Sequence, residues 1–238
     1  MQLNDDLHVL ELPMVRDGET RILNLSLVLD PVQGATLVDT GLPGQRDLIA
    51  AALAEAGAGL GDLRRIVLTH QDVDHVGSLP DLVEATGARV LASDVEVPYI
   101  VGTEKPRFDR PDFVEAFPAI ATLLARLKQL RVDEPLADGA RLDLAGGVRA
   151  VATPGHTVGH MCLYLERSRT IIAGDALTAE AGRLQGPSPT ATADMATASR
   201  SVRKLAELDV AAIACYHGGA VTEDAGGQLR RVADELAP

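Results

Sequence analysis

Apolar residues fall along this chain in short runs that alternate with helix-spaced stripes. Residues 23–29 and 35–38 form two such runs, and Asp30-Pro31 and Gly34 between them predict a pair of strands joined by a turn. Over 47–56, Leu48, Ile49, Ala52, Leu53 and Ala56 share one face of a predicted helix, and Gly57 suits the left-handed position that ends it. Strands are predicted at 65–68 and 89–92, with a helix over 79–86 between them and Gly87 after it. Residues 98–118 differ. Pro98, Pro106, Pro111 and Pro118 break any long element, and Tyr99, Phe108, Phe113 and Phe117 hold most of the chain's few aromatics. This stretch reads as an irregular excursion, either a packed connection or a cover over a substrate, leading into a helix near 120–130.

The second half repeats the rhythm. Strands are predicted at 141–144, 148–152, 162–165 and 170–173, a helix over 194–208 with Met195, Ser199, Val202 and Leu205 on one stripe, a strand at 210–215 and a closing helix over 228–236. Residues 186–190 read as a loop, lying over a site or simply on the surface. Each half runs strand, Asp, helix, strand, His: Asp39 and His70 in the first, Asp175 and His217 in the second. The pattern predicts an α/β protein of two pseudo-equivalent halves whose strand ends meet at one site, in a single domain over 1–238.

Composition narrows the function. The chain has 238 residues and a net charge of −12, which argues against a nucleic-acid partner and an anionic membrane surface. No apolar run is long enough for a transmembrane helix. The acidic start at Asn4-Asp5-Asp6 lacks the features of a secretory signal. Cys162 and Cys215 have no metal-finger spacing and are expected to be free, apolar-packed thiols. Together these point to a cytoplasmic protein acting on a small-molecule substrate.

The chemistry lies in the histidines and aspartates. Thr69-His70-Gln71-Asp72-Val73-Asp74-His75-Val76-Gly77 packs His70, Asp72, Asp74 and His75 into six residues. A lone His after a strand is ordinarily a structural residue, but four ligand-type side chains in one turn, two of them mutually repelling carboxylates, call for a cation. Thr153-Pro154-Gly155-His156-Thr157-Val158-Gly159-His160, Gly174-Asp175 and Tyr216-His217-Gly218-Gly219 add further side chains at strand ends.

These motifs, in this order over residues 36–219, resemble the metallo-β-lactamase-fold superfamily of metallohydrolases: an early Asp, T-H-x-H-x-D-H-x-G, P-G-H-T-x-G, G-D and a late G-H-G-like turn. The resemblance implies a four-layer αββα sandwich with a two-metal site at the sheet edge. It implies that His70, Asp72 and His156 hold one metal, that Asp74, His75 and His217 hold the other, and that Asp175 bridges them. Asp39 is expected behind these ligands, orienting a ligand His, the alternative being a helix-start Asp with no link to the metals; His160 is expected behind the ligands, lining the pocket, or in a purely structural role. Two departures stand out: Asp72 replaces the usual His, and the late turn begins with Tyr216, which reads as a minor change. With Asp72, two divalent cations, a hydroxide and three carboxylates sum to zero charge, one unit below the usual set. The expected metals are two divalent ions, zinc first, with Mn or Fe admitted by the extra carboxylate.

The resemblance implies a hydrolase in which a metal-activated hydroxide attacks a lactone, ester or thioester carbonyl, with Asp74 also steering a proton to the leaving group. A phosphodiesterase and an iron-dependent oxidoreductase of the same fold are the alternatives. The diiron members carry a carboxylate at the position of Asp72 but use an appended flavin domain, which a chain ending at Pro238 is not expected to contain. A binding module with a decayed site is a further class, disfavoured by the presence of every other ligand-type residue.

Overall fold

Most strands of this protein bury both faces, so their apolar runs are nearly continuous, and alternate residues enter different cores. A computed structural model describes residues 1–16 and 18–236. The elements of the first half are β1 (Leu7–Arg16), β2 (Glu19–Asp30), β3 (Gly34–Val38), α1 (Arg46–Glu55), β4 (Leu63–Leu68), α2 (Val73–Val76), α3 (Leu79–Thr86), β5 (Arg89–Ser93), α4 (Val97–Ile100), α5 (Pro111–Ala116), α6 (Ala119–Leu127) and β6 (Glu134–Leu136). The second half contains β7 (Arg141–Leu142), β8 (Val148–Ala152), β9 (Met161–Leu165), β10 (Thr170–Ile172), β11 (Thr178–Glu180), β12 (Arg183–Gln185), α7 (Met195–Ala206), β13 (Ala212–Cys215), β14 (Gly219–Val221) and α8 (Ala225–Glu235).

The strands form two six-stranded sheets, ordered β1-β2-β3-β4-β5-β6 and β14-β13-β10-β9-β8-β7, plus the β11–β12 hairpin. Val9, Val38, Val67 and Leu91 of the first sheet and Leu163, Leu165, Ile172 and Ala214 of the second meet in a core between the sheets. Their neighbours one residue along point outward. Leu12, Leu37, Ile66 and Leu68 pack with Ile49 and Leu53 of α1, Leu79 and Leu82 of α3 and Leu123 of α6. Cys162, Ile171, Ile213 and Cys215 pack with Val202 and Leu205 of α7 and Leu229 and Val232 of α8. The order helix, sheet, sheet, helix is the four-layer αββα sandwich that the resemblance implies.

The two-half pattern has a structural counterpart. β3 and β4 run parallel and adjacent, connected through α1, and β10 and β13 run parallel and adjacent, connected through α7. Asp39 and His70 therefore leave neighbouring strand ends, as do Asp175 and His217.

Several expectations need correction. Leu48 lies outside the buried face of α1 and is exposed, leaving Ile49 and Leu53 to anchor that helix. The strand expected at 141–144 stops at Leu142, although Leu144 remains buried. The 98–118 excursion contains α4 and α5, with Pro98 and Pro111 in first turns where their missing N–H costs nothing. The strands β1, β6, β11, β12 and β14 carried no prediction. No helix of the described residues is long and apolar enough to cross a membrane. Cys162 and Cys215 are both free and buried, and burial pushes the Cys162 thiol up to about 12.

Candidate metal centre

The site is built at the ends of β3, β4, β8, β10 and β13. After β4 the chain turns at Thr69 and His70 and enters α2, a single helical turn whose N-cap is Asp72. Asp74 and His75 lie in that turn. It closes tightly on residues 41–43: a Cβ on Gly77 would lie 2.4 Å from the backbone of Leu42 and Pro43. Thr40 N–H and Oγ1 both donate to the His75 carbonyl, at 2.7 Å each.

Two ligand groups result. His70, His156 and Asp175 each bring a nitrogen or oxygen within 4.8 Å of the others, and so do Asp74, His75 and His217. Asp175 touches both groups. Its Oδ2 is 3.5 Å from His156 Nε2 and 3.5 Å from His217 Nε2, and its Oδ1 is 3.3 Å from His75 Nε2. Asp74 Oδ2 is 3.4 Å from His217 Nε2 and 3.9 Å from His75 Nε2. Asp72 sits on the first side, with Oδ2 3.1 Å from His156 Nε2 and 3.6 Å from His70 Nε2. His8 stays apart, in β1 opposite Leu27.

Buried side chains behind the ligands fix their orientation. Asp39, held at φ 64°, accepts from Thr69 N–H at 2.8 Å and from Thr69 Oγ1 at 2.8 Å. His75 Nδ1–H donates to Asp39 Oδ2 at 2.9 Å. With the Thr69 hydroxyl donating to Asp39, His70 Nδ1–H donates to Thr69 Oγ1 at 3.0 Å. Both rings thus keep their Nε2 lone pairs for the centre. His160 accepts the Asp175 N–H at Nε2, 3.0 Å, and contacts Thr153 Oγ1 through Nδ1, 2.8 Å. It supports Asp175 from behind.

Three residues escaped the sequence reading. Tyr216 is no minor departure: its hydroxyl donates to the Asp74 carbonyl and its ring centroid lies 3.9 Å from that of His75. The change at that position was visible, but its target was not. Glu96 is fully buried and accepts from Thr157 Oγ1 at 2.6 Å and Gly159 N–H at 2.8 Å, clamping the loop of His156 and His160. Arg107, from the 98–118 excursion, places Nη1 3.2 Å from Asp72 Oδ2. Its neighbour Phe108 is buried in the helix-side core of the first sheet, so the excursion both packs inward and reaches the site. The 178–193 segment also borders it, since Ala193 N–H donates to the His156 carbonyl at 3.3 Å.

The charges are strongly coupled. Burial alone would raise the Asp72 carboxyl, but the hydrogen bond from His156, the nearby His70 ring and the Arg107 charge hold it well below the usual range. Burial likewise opposes ionisation of Asp74 and Asp175, yet the facing His75 and His217 keep both low. In return His75 is raised well above its ordinary value against its own burial, chiefly by Asp39. His217 is lifted to about 9, burial being outweighed by Asp175 and Asp74. His156 and His160 are lowered by burial.

These residues fit divalent metal ions. His70 Nε2, His75 Nε2 and Asp175 Oδ1 are buried and have no hydrogen-bond partner, a cost of about 1–3 kcal/mol each that a cation removes. A tetrahedral ion with bonds of about 2.0–2.2 Å sets its ligand atoms about 3.3–3.6 Å apart, the spacing of most contacts given above. An imidazole and carboxylate set suits Zn, Mn or Fe.

A model of the metallo-beta-lactamase superfamily matches residues 21–217. The chain belongs to that superfamily, whose members have a metal-binding hydrolase fold. It is 31% identical over 228 residues to the Probable metallo-hydrolase YflN of Bacillus subtilis (strain 168), covering 84% of this chain and 80% of that protein. It is 33% identical over 129 residues to a hydroxyacylglutathione hydrolase of Acidiphilium cryptum (strain JF-5), covering 54% of this chain and 41% of that one. Among solved structures, a metallo-beta-lactamase family protein from Thermus thermophilus matches with a TM-score of 0.70 at 28% identity, covering 99% of this chain and 79% of that one.

Proposed function

We propose that this protein is a metal-dependent hydrolase of a small-molecule lactone, ester or thioester. The supporting observation is the convergence of two ligand groups, His70-His156-Asp175 and Asp74-His75-His217, around buried atoms without partners. In this reading His70, Asp72 and His156 hold one divalent ion, Asp74, His75 and His217 hold the other, and Asp175 lies between. When bound, the ions supply Lewis acidity toward a carbonyl oxygen and toward water.

The chain's own residues do the rest. Asp39 and Thr69 fix the ring orientations of His75 and His70. His160 and Tyr216 hold the backbone of Asp175 and Asp74. Asp74, partly exposed beside His217, would take a proton from the attacking water and pass it to the oxygen or sulfur of the leaving group. The hydroxyacylglutathione hydrolase among the relatives makes a thioester the first substrate to try. Zinc is the expected metal, with Mn and Fe next because Asp72 adds a carboxylate oxygen.

The test is metal analysis of protein purified without added metal, together with hydrolysis of lactones, esters, thioesters and a phosphodiester. The expected result is bound zinc, or manganese or iron in its place, and chelator-sensitive cleavage of a carbonyl substrate. Phosphodiester cleavage alone, or iron with visible absorption and no hydrolysis, would overturn it.

A further inference from the structure

Arg107 brings a permanent positive charge into the ligand cluster, and its placement is built from several sides. Its backbone N–H donates to the Oε1 of buried Gln71 at 3.0 Å. Nη1 donates to the His156 carbonyl at 2.9 Å, and Nη2 donates to the Ala191 carbonyl at 2.5 Å. Phe108, next in the chain, is anchored in the core. So held, Nη1 lies 3.2 Å from Asp72 Oδ2 and 3.4 Å from His156 Nε2. Those two atoms belong to the side chains that would hold one of the two ions. The guanidinium and that ion would compete for the Asp72 oxygen, and with Nη1 this close to His156 Nε2 they repel each other at short range.

The other half of the site is different. Asp74 faces His75 and His217, and among the described side chains no Lys or Arg comes within ion-pair distance of Asp74 or Asp175. Asp72 and Arg107 together are neutral, so the first side offers a cation no more net charge than an imidazole in place of Asp72 would. The second side offers the charge of Asp74, which faces histidines and no Lys or Arg among the described side chains.

We propose that Arg107 is a positioning residue that holds Asp72 as its charge partner and makes the two metal positions unequal, so that Asp74-His75-His217 fills first and His70-Asp72-His156 fills second and more weakly. This rests on the metal reading of the site. It assigns Asp72 two partners in turn, the guanidinium when the second ion is absent and the ion when it is present.

The experiment is a stepwise titration of the metal-free chain with Zn(II), read by native mass spectrometry and by competition with a chromogenic chelator. Wild type is expected to load in two steps separated by about tenfold or more. Arg107→Gln and Arg107→Met, which both remove the charge, are expected to tighten the second step by about tenfold or more. Arg107→Lys is expected to keep the wild-type separation, and Asp72→Asn to weaken the second step alone. A purely structural arginine would predict the opposite sign, because losing it would loosen the loops and weaken loading. Equal steps in wild type, or neutral variants that load like wild type or more weakly, overturn the inference while leaving the metal site intact. Failure of wild type and every variant to bind Zn(II), Mn(II) or Fe(II) overturns both.

Discussion

Asp39 is buried away from solvent, yet it orients two candidate ligand rings. It takes the His75 Nδ1 proton directly and the His70 ring through Thr69. Asp39→Asn is expected to weaken metal binding about 10–100-fold, measured by chelator competition. Protons and metal compete at the same atoms. His217 is lifted to about 9 in the metal-free chain, above its ordinary value of about 6.5. Its proton therefore stabilises the metal-free fold fully below about pH 6.5, and that contribution is lost as pH rises toward about 9. Metal binding must expel this proton, so affinity for Zn(II) is expected to rise through the same window. Affinity that is flat between about pH 6.5 and 9 would contradict the assignment of His217 as a ligand. The candidate cluster was legible because His70, Asp72, Asp74 and His75 are sequence neighbours. Glu96, Tyr216 and Arg107 were not, because their partners are distant: Glu96 lies 61 positions from Thr157 and Tyr216 142 positions from Asp74. Nothing local marks such pairs.

At the scale of elements, the strands of the sandwich interior were read well where turn residues bounded them. The runs at 35–38 and 148–152 correspond to β3, which begins one residue earlier, and to β8, which matches outright. The strand β1 was missed for a physical reason. Leu7 and Val9 enter one core while Leu10 and Leu12 enter another, so the run shows no clean alternation, and Pro13 argues against a central strand. β1 is an edge strand, where proline is tolerated. The turn after β13 carries a second test. Gly218 has φ +93°, and an added Cβ would meet the Ala179 carbonyl oxygen at 1.6 Å. Gly57 has φ +84° with nothing within 4 Å. Gly57→Ala is expected to cost about 1–2 kcal/mol from backbone conformation alone. Gly218→Ala is expected to cost more than that, about 3 kcal/mol or beyond, because the backbone must also move. Thermal melts of the two variants compare the costs; equal losses would mean that the hairpin yields freely to the turn of His217.

For the whole molecule, the centre is a joint between halves. His70, Asp72, Asp74 and His75 follow β4 of one sheet, while His156, Asp175 and His217 follow β8, β10 and β13 of the other. Metal bound there links the two sheets. Free metal at a thousand times its dissociation constant stabilises the fold by about 4 kcal/mol, or about 10 °C in Tm for a chain of this size. Chelation is expected to lower Tm by about that much, and an unchanged Tm would place any bound metal outside this joint. The two-half architecture was legible because strand, Asp, helix, strand, His recurs. The 98–118 excursion was not, since it belongs to neither half and its meaning depends on where Phe108 and Arg107 land. The most direct measurement of the metal centre is anomalous diffraction, at the metal's absorption edge, from crystals grown with the metal that copurifies. The expected result is ions bonded by His70, Asp72 and His156 on one side and by Asp74, His75 and His217 on the other, with Asp175 between them. An ion bound elsewhere, or anomalous density at neither group, would contradict it.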